Sequence, residues 1–381
     1  MKKFIIRFLT VSLAIMFAVL ASGCVSPTIL SFNSNFVGGG GKKPSDLTGG
    51  VSAYVETLVY DVEYVEKYED GISKSPTISA TIPKYKGTFT STFTDTKPKD
   101  IDLSDSDISS NSDFNTGNIY YLKTVLDLEV TAESIDKTYN DMIISEVCFY
   151  QSNLSYAPIW SKISTKMTSF SLSDENLNPV QNIYQYETLY NTASYTITTK
   201  AYEKATDEDI NLVDISKDNW TEQLKEESSL SPKTYEYTLK TLIDNNQLFF
   251  ILRNLNFSTQ TTSDDKTQQY VYLPTVSYAY GEEKSLYIVV ENEEKHSFKF
   301  DIENGSLLEQ TEQKAITVNK ISFVLSANEY KGTKKYIKIQ KQKTNEQEFK
   351  ALPVEYAEPL IDQTMTTYGA LKYTLKQALY N

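Results

Sequence analysis

Strand-forming residues in period-two patterns recur from Tyr54 onward, and they restrict this chain to a fold built on β-sheet. The segment Tyr54 to Tyr64 reads Tyr-Val-Glu-Thr-Leu-Val-Tyr-Asp-Val-Glu-Tyr. Val51, Val55, Leu58, Val62 and Val65 would also fit a helical stripe. The density of β-branched and aromatic residues decides for a strand, because such side chains lose rotamer freedom in a helix and pack well on a pleated surface. The 28 tyrosines of the chain point the same way, since Tyr favours strands and carries a polar tip on an apolar body.

Further strands are predicted around Pro83 and Gly87 (Ile78 to Thr94), at Ile119 to Val130, at Asp141 to Tyr150 and at Tyr195 to Lys200. The polar, acidic stretch Lys97 to Gly117 reads as a loop. Asn219-Trp220-Thr221-Glu222 has the spacing of a capping box and predicts a short helix. Tyr235 to Asp244 and Gln247 to Asn256 predict either a hairpin or a short strand followed by a buried helix. Later, Leu286 to Val290 and alternating Phe298, Phe300 and Ile302 precede Asn304-Gly305. Asn-Gly is a strong hairpin signal because both positions tolerate positive φ. Ile316, Val318, Ile321, Phe323 and Leu325 continue the pattern, as do Ile337 with Ile339 and the segment Tyr368 to Leu375. Tyr237-Thr238-Leu239-Lys240 recurs as Tyr373-Thr374-Leu375-Lys376, but four residues without a period make no repeat protein. The expected fold is mainly β: a large curved antiparallel sheet (open or a half barrel) or two packed sheets, with one or two short helices.

The N-terminus carries a different signal. Lys2, Lys3 and Arg7 precede an apolar run from Phe8 to Ala21, and Ala21-Ser22-Gly23 stand directly before Cys24. The run is too short for a comfortable span, which needs about 20 residues. The arrangement resembles a bacterial lipoprotein signal, and that resemblance implies cleavage before Cys24, lipidation of Cys24 and a place on the extracytoplasmic side of a bacterial membrane. The position three before the Cys holds Ala21 where the pattern prefers Leu. Two acyl chains with an acylated amine would anchor stably, whereas one chain binds marginally. Residues 1–23 are then the signal peptide and 24–50 a tether. Seven of the 14 glycines fall within the first 50 residues, a composition that builds no core. A coil of about 26 residues reaches roughly 25–30 Å. Residues 51–381 form the β-rich part, as one domain or as two sub-domains with a break near 201–232.

Charge narrows the partners. The net charge is −13, and a cleaved leader would take three basic and no acidic residues with it, leaving −16. Such a chain repels nucleic-acid phosphate. Arg253 is the one arginine beyond Arg7, so the bidentate fork that suits phosphate and carboxylate is nearly absent; a Lys-favouring genome accounts for the composition. With Cys24 lipidated, Cys148 has no disulfide partner. It sits in Ile143-Ile144-Ser145-Glu146-Val147-Cys148-Phe149-Tyr150 and reads as a small buried hydrophobe in a strand rather than a reactive thiol.

Chemical motifs are sparse. His296, the sole histidine, lies among Glu293, Glu294, Lys295 and Ser297 and reads as an exposed hairpin residue. Asp105, Asp107 and Ser109 imitate the start of a calcium loop, but Ser110 and Thr116 occupy the positions that require Gly and Glu. Asp207, Glu208, Asp209 and Asp214 read as a charged surface. Ser263 and Lys266 have Ser-x-x-Lys spacing without the accompanying Lys-Thr-Gly. Lys331, Lys334, Lys335, Lys338, Lys341 and Lys343 form a basic island, either a contact for anionic lipid heads or wall polymers, or a solvated strand face or Lys-protected edge. No catalytic residue, metal ligand or cofactor site is assigned.

The order from Leu286 to Tyr356 resembles a little-characterised group of secreted bacterial envelope proteins, in which a curved antiparallel sheet ends near a Pro-Val pair before a last strand. The matching pieces are Phe298–Ile302, Tyr336–Lys341, Leu352-Pro353-Val354-Glu355-Tyr356, the strand ending at Leu375 and the early Glu56-Thr57-Leu58-Val59-Tyr60. The group brings no activity with it. Its shape is similar to that of envelope lipid carriers, which implies a concave Tyr- and Phe-rich face for an apolar or amphiphilic ligand. The expected function is therefore non-enzymatic: a membrane-anchored protein binding a lipid or envelope polymer. The alternatives are a structural lipoprotein that contacts other envelope components, and a hydrolase using paired carboxylates.

Overall fold

The computed structural model describes residues 55–66, 68, 83–95, 97–103, 119–132, 135–152, 155–173, 176–191, 196–204, 220–222, 233–236, 243–255, 267–272, 284–298, 314–324, 335–341, 351–361 and 367–380. The leader, Cys24 and the glycine-rich stretch lie outside them, as do both acidic clusters and the Ser263–Lys266 pair.

The protein is mainly β: the described residues form a single antiparallel sheet of 15 strands and one short helix. The first series is β1 (Val55–Val65), β2 (Lys84–Thr94), β3 (Ile119–Ala132), β4 (Ile135–Ser152), β5 (Ser155–Ser173), β6 (Asn176–Asn191), β7 (Thr196–Lys204), β8 (Trp220–Glu222) and β9 (Lys233–Glu236). A 3₁₀ turn (Asn245–Gln247) and α1 (Leu248–Asn254) follow. The second series is β10 (Thr267–Tyr272), β11 (Lys284–Phe298), β12 (Lys314–Val324), β13 (Lys335–Gln340), β14 (Pro353–Ile361) and β15 (Thr367–Tyr380).

Each series is a meander of neighbouring strands, and the two join where β1 pairs with β15. The first and last strands thus meet in the middle of the sheet, while β10 stands at one end and β8 at the other, with β9 also paired to β7. The residues between the two meanders include α1, and the helix lies across the face onto which both wings curl. Its Phe250, Ile251 and Leu252 share a core with Phe93, Leu122, Val147 and Phe149 of one wing and with Ile288, Ile321, Phe323 and Ile337 of the other. Curvature is assisted by bulges at Val59/Tyr60, Cys148/Phe149, Val290/Asn292 and Lys338/Ile339.

Alternation explains the sides. On β1, Leu58, Tyr60 and Val62 are buried on the concave face, and their neighbours Phe89, Leu128, Leu371, Tyr373 and Leu375 complete a second core. Gly87 sits opposite Val62, and a Cβ there would fall 1.9 Å from the Asp127 carbonyl oxygen, so the close approach of β2 to β3 requires glycine. The convex face has smaller cores. Ile101 covers Tyr121, Cys148 and Trp160, and Tyr68 stacks on Tyr336 at 5.9 Å between ring centres.

Three local expectations are corrected. Trp220–Glu222 is strand β8, not the start of a helix: pairing with β7 supplies its backbone partners, and Trp and Thr suit a strand. His296 is not a hairpin residue but lies within β11 opposite Ile316, half-buried. The described lysines of the basic island protect no edge, because β13 runs between β12 and β14. Of the two readings for Tyr235 to Asn256, the strand followed by a buried helix is the one that forms. Around Asn304-Gly305, which lie outside the described residues, β11 and β12 pair antiparallel. Among the described residues no helix is long and apolar enough to cross a membrane.

Candidate functional site

The helix is held at both ends by buried polar groups. At its start Asp244 is fully buried and accepts hydrogen bonds from the Ser161 hydroxyl at 2.7 Å, from the Tyr190 hydroxyl and from the Asn246 backbone N–H at 2.7 Å. Gln247 completes a capping box by accepting from the Asp244 N–H, and its Nε2 donates to the Tyr156 carbonyl at 2.9 Å. This knot joins the helix start to β5 and β6. Asp-x-x-Gln is a capping spacing visible in the sequence that the sequence reading passed over.

At the other end Arg253 forms a bidentate ion pair with Glu56 on β1, through Nη1–Oε1 at 2.5 Å and Nη2–Oε2 at 3.0 Å. The two side chains are 2% and 1% exposed. Its Nε donates to the Ala351 carbonyl at 3.2 Å. Ala351 has φ of 46°, a left-handed conformation that costs a non-glycine residue about 1–3 kcal/mol and persists only where its surroundings impose it. The helix is thus a strut from β5 and β6 to β1 and the Ala351 turn, fixed without needing a ligand.

Beside this strut lies a cleft of about 230 Å³. Leu126, Ile143 and Ile163 form one wall, Phe323 and Tyr356 the other, Phe89 and Tyr373 the base, and Leu248, Phe249 and Leu252 the helix side. Phe249 meets Phe89 and Tyr356 edge to face, at 5.5 and 6.2 Å between ring centres, and Tyr373 lies tilted against Tyr356 at 5.0 Å. Thr124, Ser145, Asn245 and Asn246 add polar groups, and the Lys335–Glu358 ion pair a charged one. The Thr124 and Ser145 hydroxyls hydrogen-bond each other at 2.5 Å. Asn246 is 7% exposed, and its Nδ2 has no hydrogen-bond partner among the described residues. Ligand pockets hold about 300–1,000 Å³, so this cleft suits a small molecule or one end of a larger one. Much of the concave face expected to be open is filled by α1.

Of the candidate residues singled out in the sequence, Lys335 lines the cleft, and the other described ones fall elsewhere. Cys148 is buried on the convex side, where burial pushes its thiol up to about 12. Burial lowers the His296 imidazole below its usual value, with Glu355, Lys338, Lys372 and Glu294 as its charged neighbours. The basic island is tied to carboxylates: Lys338 contacts Glu294 at 2.9 Å and Glu355 at 3.2 Å, and Lys341 pairs with Glu293. Lys372 reaches Glu355 at 3.2 Å, and the Tyr336 hydroxyl donates to it at 2.9 Å. Burial alone would raise the Glu355 carboxyl, but Lys338, Lys372 and Tyr336 outweigh it and hold it below the usual range. Lys331, Lys334 and Lys343 lie outside the described residues. Glu358 is the one carboxylate among the described residues lining the cleft, without the second that glycoside hydrolysis uses. Among the described residues no group of three His, Cys, Asp or Glu could hold a metal ion.

No protein-family model matches the chain, and no curated protein matches it. Among solved structures the chain is similar to a β-barrel-like protein of Domain of Unknown Function DUF1849 from Brucella abortus, with a TM-score of 0.40, 8% identity, and coverage of 86% of this chain and 98% of that one.

Proposed function

We propose that the protein is a non-enzymatic, lipid-anchored, extracytoplasmic binding protein whose cleft takes an apolar or amphiphilic envelope ligand. The observation that carries this reading is the cleft beside α1: apolar and aromatic in lining, bounded by a helix locked at both ends, and furnished with few polar groups. A preformed site of that composition loses little conformational entropy on binding. At about 30 Å³ per water-sized atom, 230 Å³ admits roughly eight non-hydrogen atoms, the end of one acyl chain rather than a whole diacyl lipid. The anchor is supported by the N-terminal pattern ending at Cys24. Together with a tether reaching roughly 25–30 Å, it would let the cleft approach ligands without leaving the membrane.

The cleft is tested by isothermal titration calorimetry with 1-hexanol, a neutral amphiphile small enough for it, on the full chain carrying Cys24→Ala. Binding is expected, and Ile143→Trp, which fills the cleft, should abolish it with little change in thermal unfolding. No binding, or binding indifferent to Ile143→Trp, would sink the reading. The anchor is tested separately: Cys24→Ala should lose palmitate labelling and release the protein from membranes, and retention of both would refute lipidation at Cys24.

A further inference from the structure

Among the described residues lining the cleft, two carry a charge, Lys335 and Glu358. Tyr336 on β13 pairs with Ala357 on β14, which sets Lys335 beside Glu358 one residue along. Alternation places both on the face that carries Ile337 and Tyr356, so their side chains stand on the concave side with the cleft. They form an ion pair, and their side chains are 34% and 35% exposed, so the pair is open to whatever enters. The carboxylate also acts inward. Burial pushes the Tyr373 phenol well above its usual value, and Glu358 adds to the rise, so its charge is felt at the base of the cleft. A carboxylate offers about four acceptor sites, more than the contact with Lys335 uses.

We infer that the Lys335–Glu358 pair is the head-group site of the cleft, and that it selects a single-chain amphiphile with an uncharged, hydroxyl-bearing head. This rests on the cleft being a binding site. A hydroxyl accepts a hydrogen bond from the ammonium and donates one to the carboxylate, so it serves both members of the pair at once. A carboxylate head would gain Lys335 and be set against Glu358. An ammonium head would gain Glu358 and be set against Lys335. Beside apolar walls such like-charge contacts are weakly screened, and they exclude the wrong ligand more than they reward the right one. The net charge of −13 works further against anions. With the head at the pair, the chain lies among Leu126, Ile143, Phe249 and Leu252. The hydroxyl can belong to a simple alkanol or to the glycerol of a monoacylglycerol, and both present the same group to the pair.

The test is calorimetric titration of the full chain carrying Cys24→Ala with 1-hexanol, hexanoate and hexylamine at pH 7, three probes of nearly equal size that differ in head charge. Hexanol is expected to bind about tenfold more tightly than either charged probe. Monohexanoylglycerol tighter than hexanol assigns the head to an acylglycerol; hexanol tighter assigns it to an alkanol. Two substitutions should then turn the preference in opposite directions. Glu358→Gln leaves Lys335 without its carboxylate and should make hexanoate the tightest of the three. Lys335→Met leaves Glu358 without its ammonium and should make hexylamine the tightest. A partly exposed ion pair contributes little to stability, so both variants should fold, and thermal unfolding checks it. Hexanoate or hexylamine equal to hexanol on the unsubstituted pair would overturn the inference, as would an order of preference that neither substitution alters, and either result leaves the binding cleft standing. Hexanol that fails to bind removes the cleft reading and this inference together.

Discussion

Arg253→Met is the perturbation that probes the strut most directly. It leaves the Glu56 carboxylate 1% exposed with its cationic partner gone, and it leaves the Ala351 carbonyl without the Nε donor. Breaking a buried ion pair from one side costs about 3–5 kcal/mol, because the remaining charge is neither solvated nor compensated. A lost hydrogen bond at a buried carbonyl adds about 1 kcal/mol. In a domain of this size, each kcal/mol moves the unfolding temperature by about 2 °C, so a fall of roughly 8–12 °C is expected. The double variant Glu56→Leu/Arg253→Met removes both charges and should recover most of that loss, since apolar replacements of a buried pair are often neutral or better. Arg253→Lys keeps the charge without the two-pronged fork and should fall between. Urea unfolding followed by the fluorescence of Trp160 and Trp220 reads all three on one scale. If Arg253→Met costs under about 1 kcal/mol, the pair is not buried as described and the strut is not pinned at Glu56. If the double variant is no better than the single one, the charges specify the docked helix rather than merely compensating each other.

Three further outcomes are expected. The Cys148 thiol, pushed up to about 12, should react with iodoacetamide at pH 8 roughly 10³-fold more slowly than an ordinary cysteine of pKa about 8.5, and should label fully in urea, as mass spectrometry will show. Gly87→Ala should cost about 1–3 kcal/mol in urea unfolding, because the new methyl meets the Asp127 backbone and not a side chain that can turn away. The charged network on the convex face sets a pH dependence. The Glu355 carboxyl is depressed, so its contribution is complete above the ordinary carboxylate value and is lost as pH falls through the lower folded one. Burial would lower the Lys338 ammonium, but Glu294 and Glu355 hold it above its usual value, so its contribution is complete below that value and is lost as pH rises through the higher folded one. Lys338→Met should therefore cost about 1.5–3 kcal/mol between roughly pH 5 and 10 and flatten the acid limb of the stability curve measured by thermal unfolding.

The strands were legible because their signal is local. Leu58, Tyr60 and Val62 alternate with Val59, Asp61 and Glu63, and that alternation survives in the burial of β1. Sheet order was not legible, because nothing within β1 or β15 says that the two pair across more than 300 residues of chain. The misreading at Trp220 has the same origin: a capping spacing is a local preference, and pairing with β7 overrides it. The site was harder still. Its polar residues come from β3, β4, β13, β14 and the segment opening the helix, and only the fold makes them neighbours.

Arg253 shows what kind of sequence signal was present but misread. It stood out as the single arginine beyond Arg7 in a chain of lysines, and composition explained it as a habit of the genome. A genome that favours lysine replaces arginine wherever a compact point charge will serve, and the exposed pairs here, Lys341–Glu293 and Lys376–Asp61, use lysine. The position that resisted replacement is one where a planar cation must contact both oxygens of a buried carboxylate and, through a third nitrogen, a backbone carbonyl. Lysine cannot satisfy that geometry with three donors on one atom. In a strongly biased composition, the rare residue therefore points to the site of greatest geometric demand. Here that site is the joint that holds the helix across the sheet and gives the cleft its fixed wall.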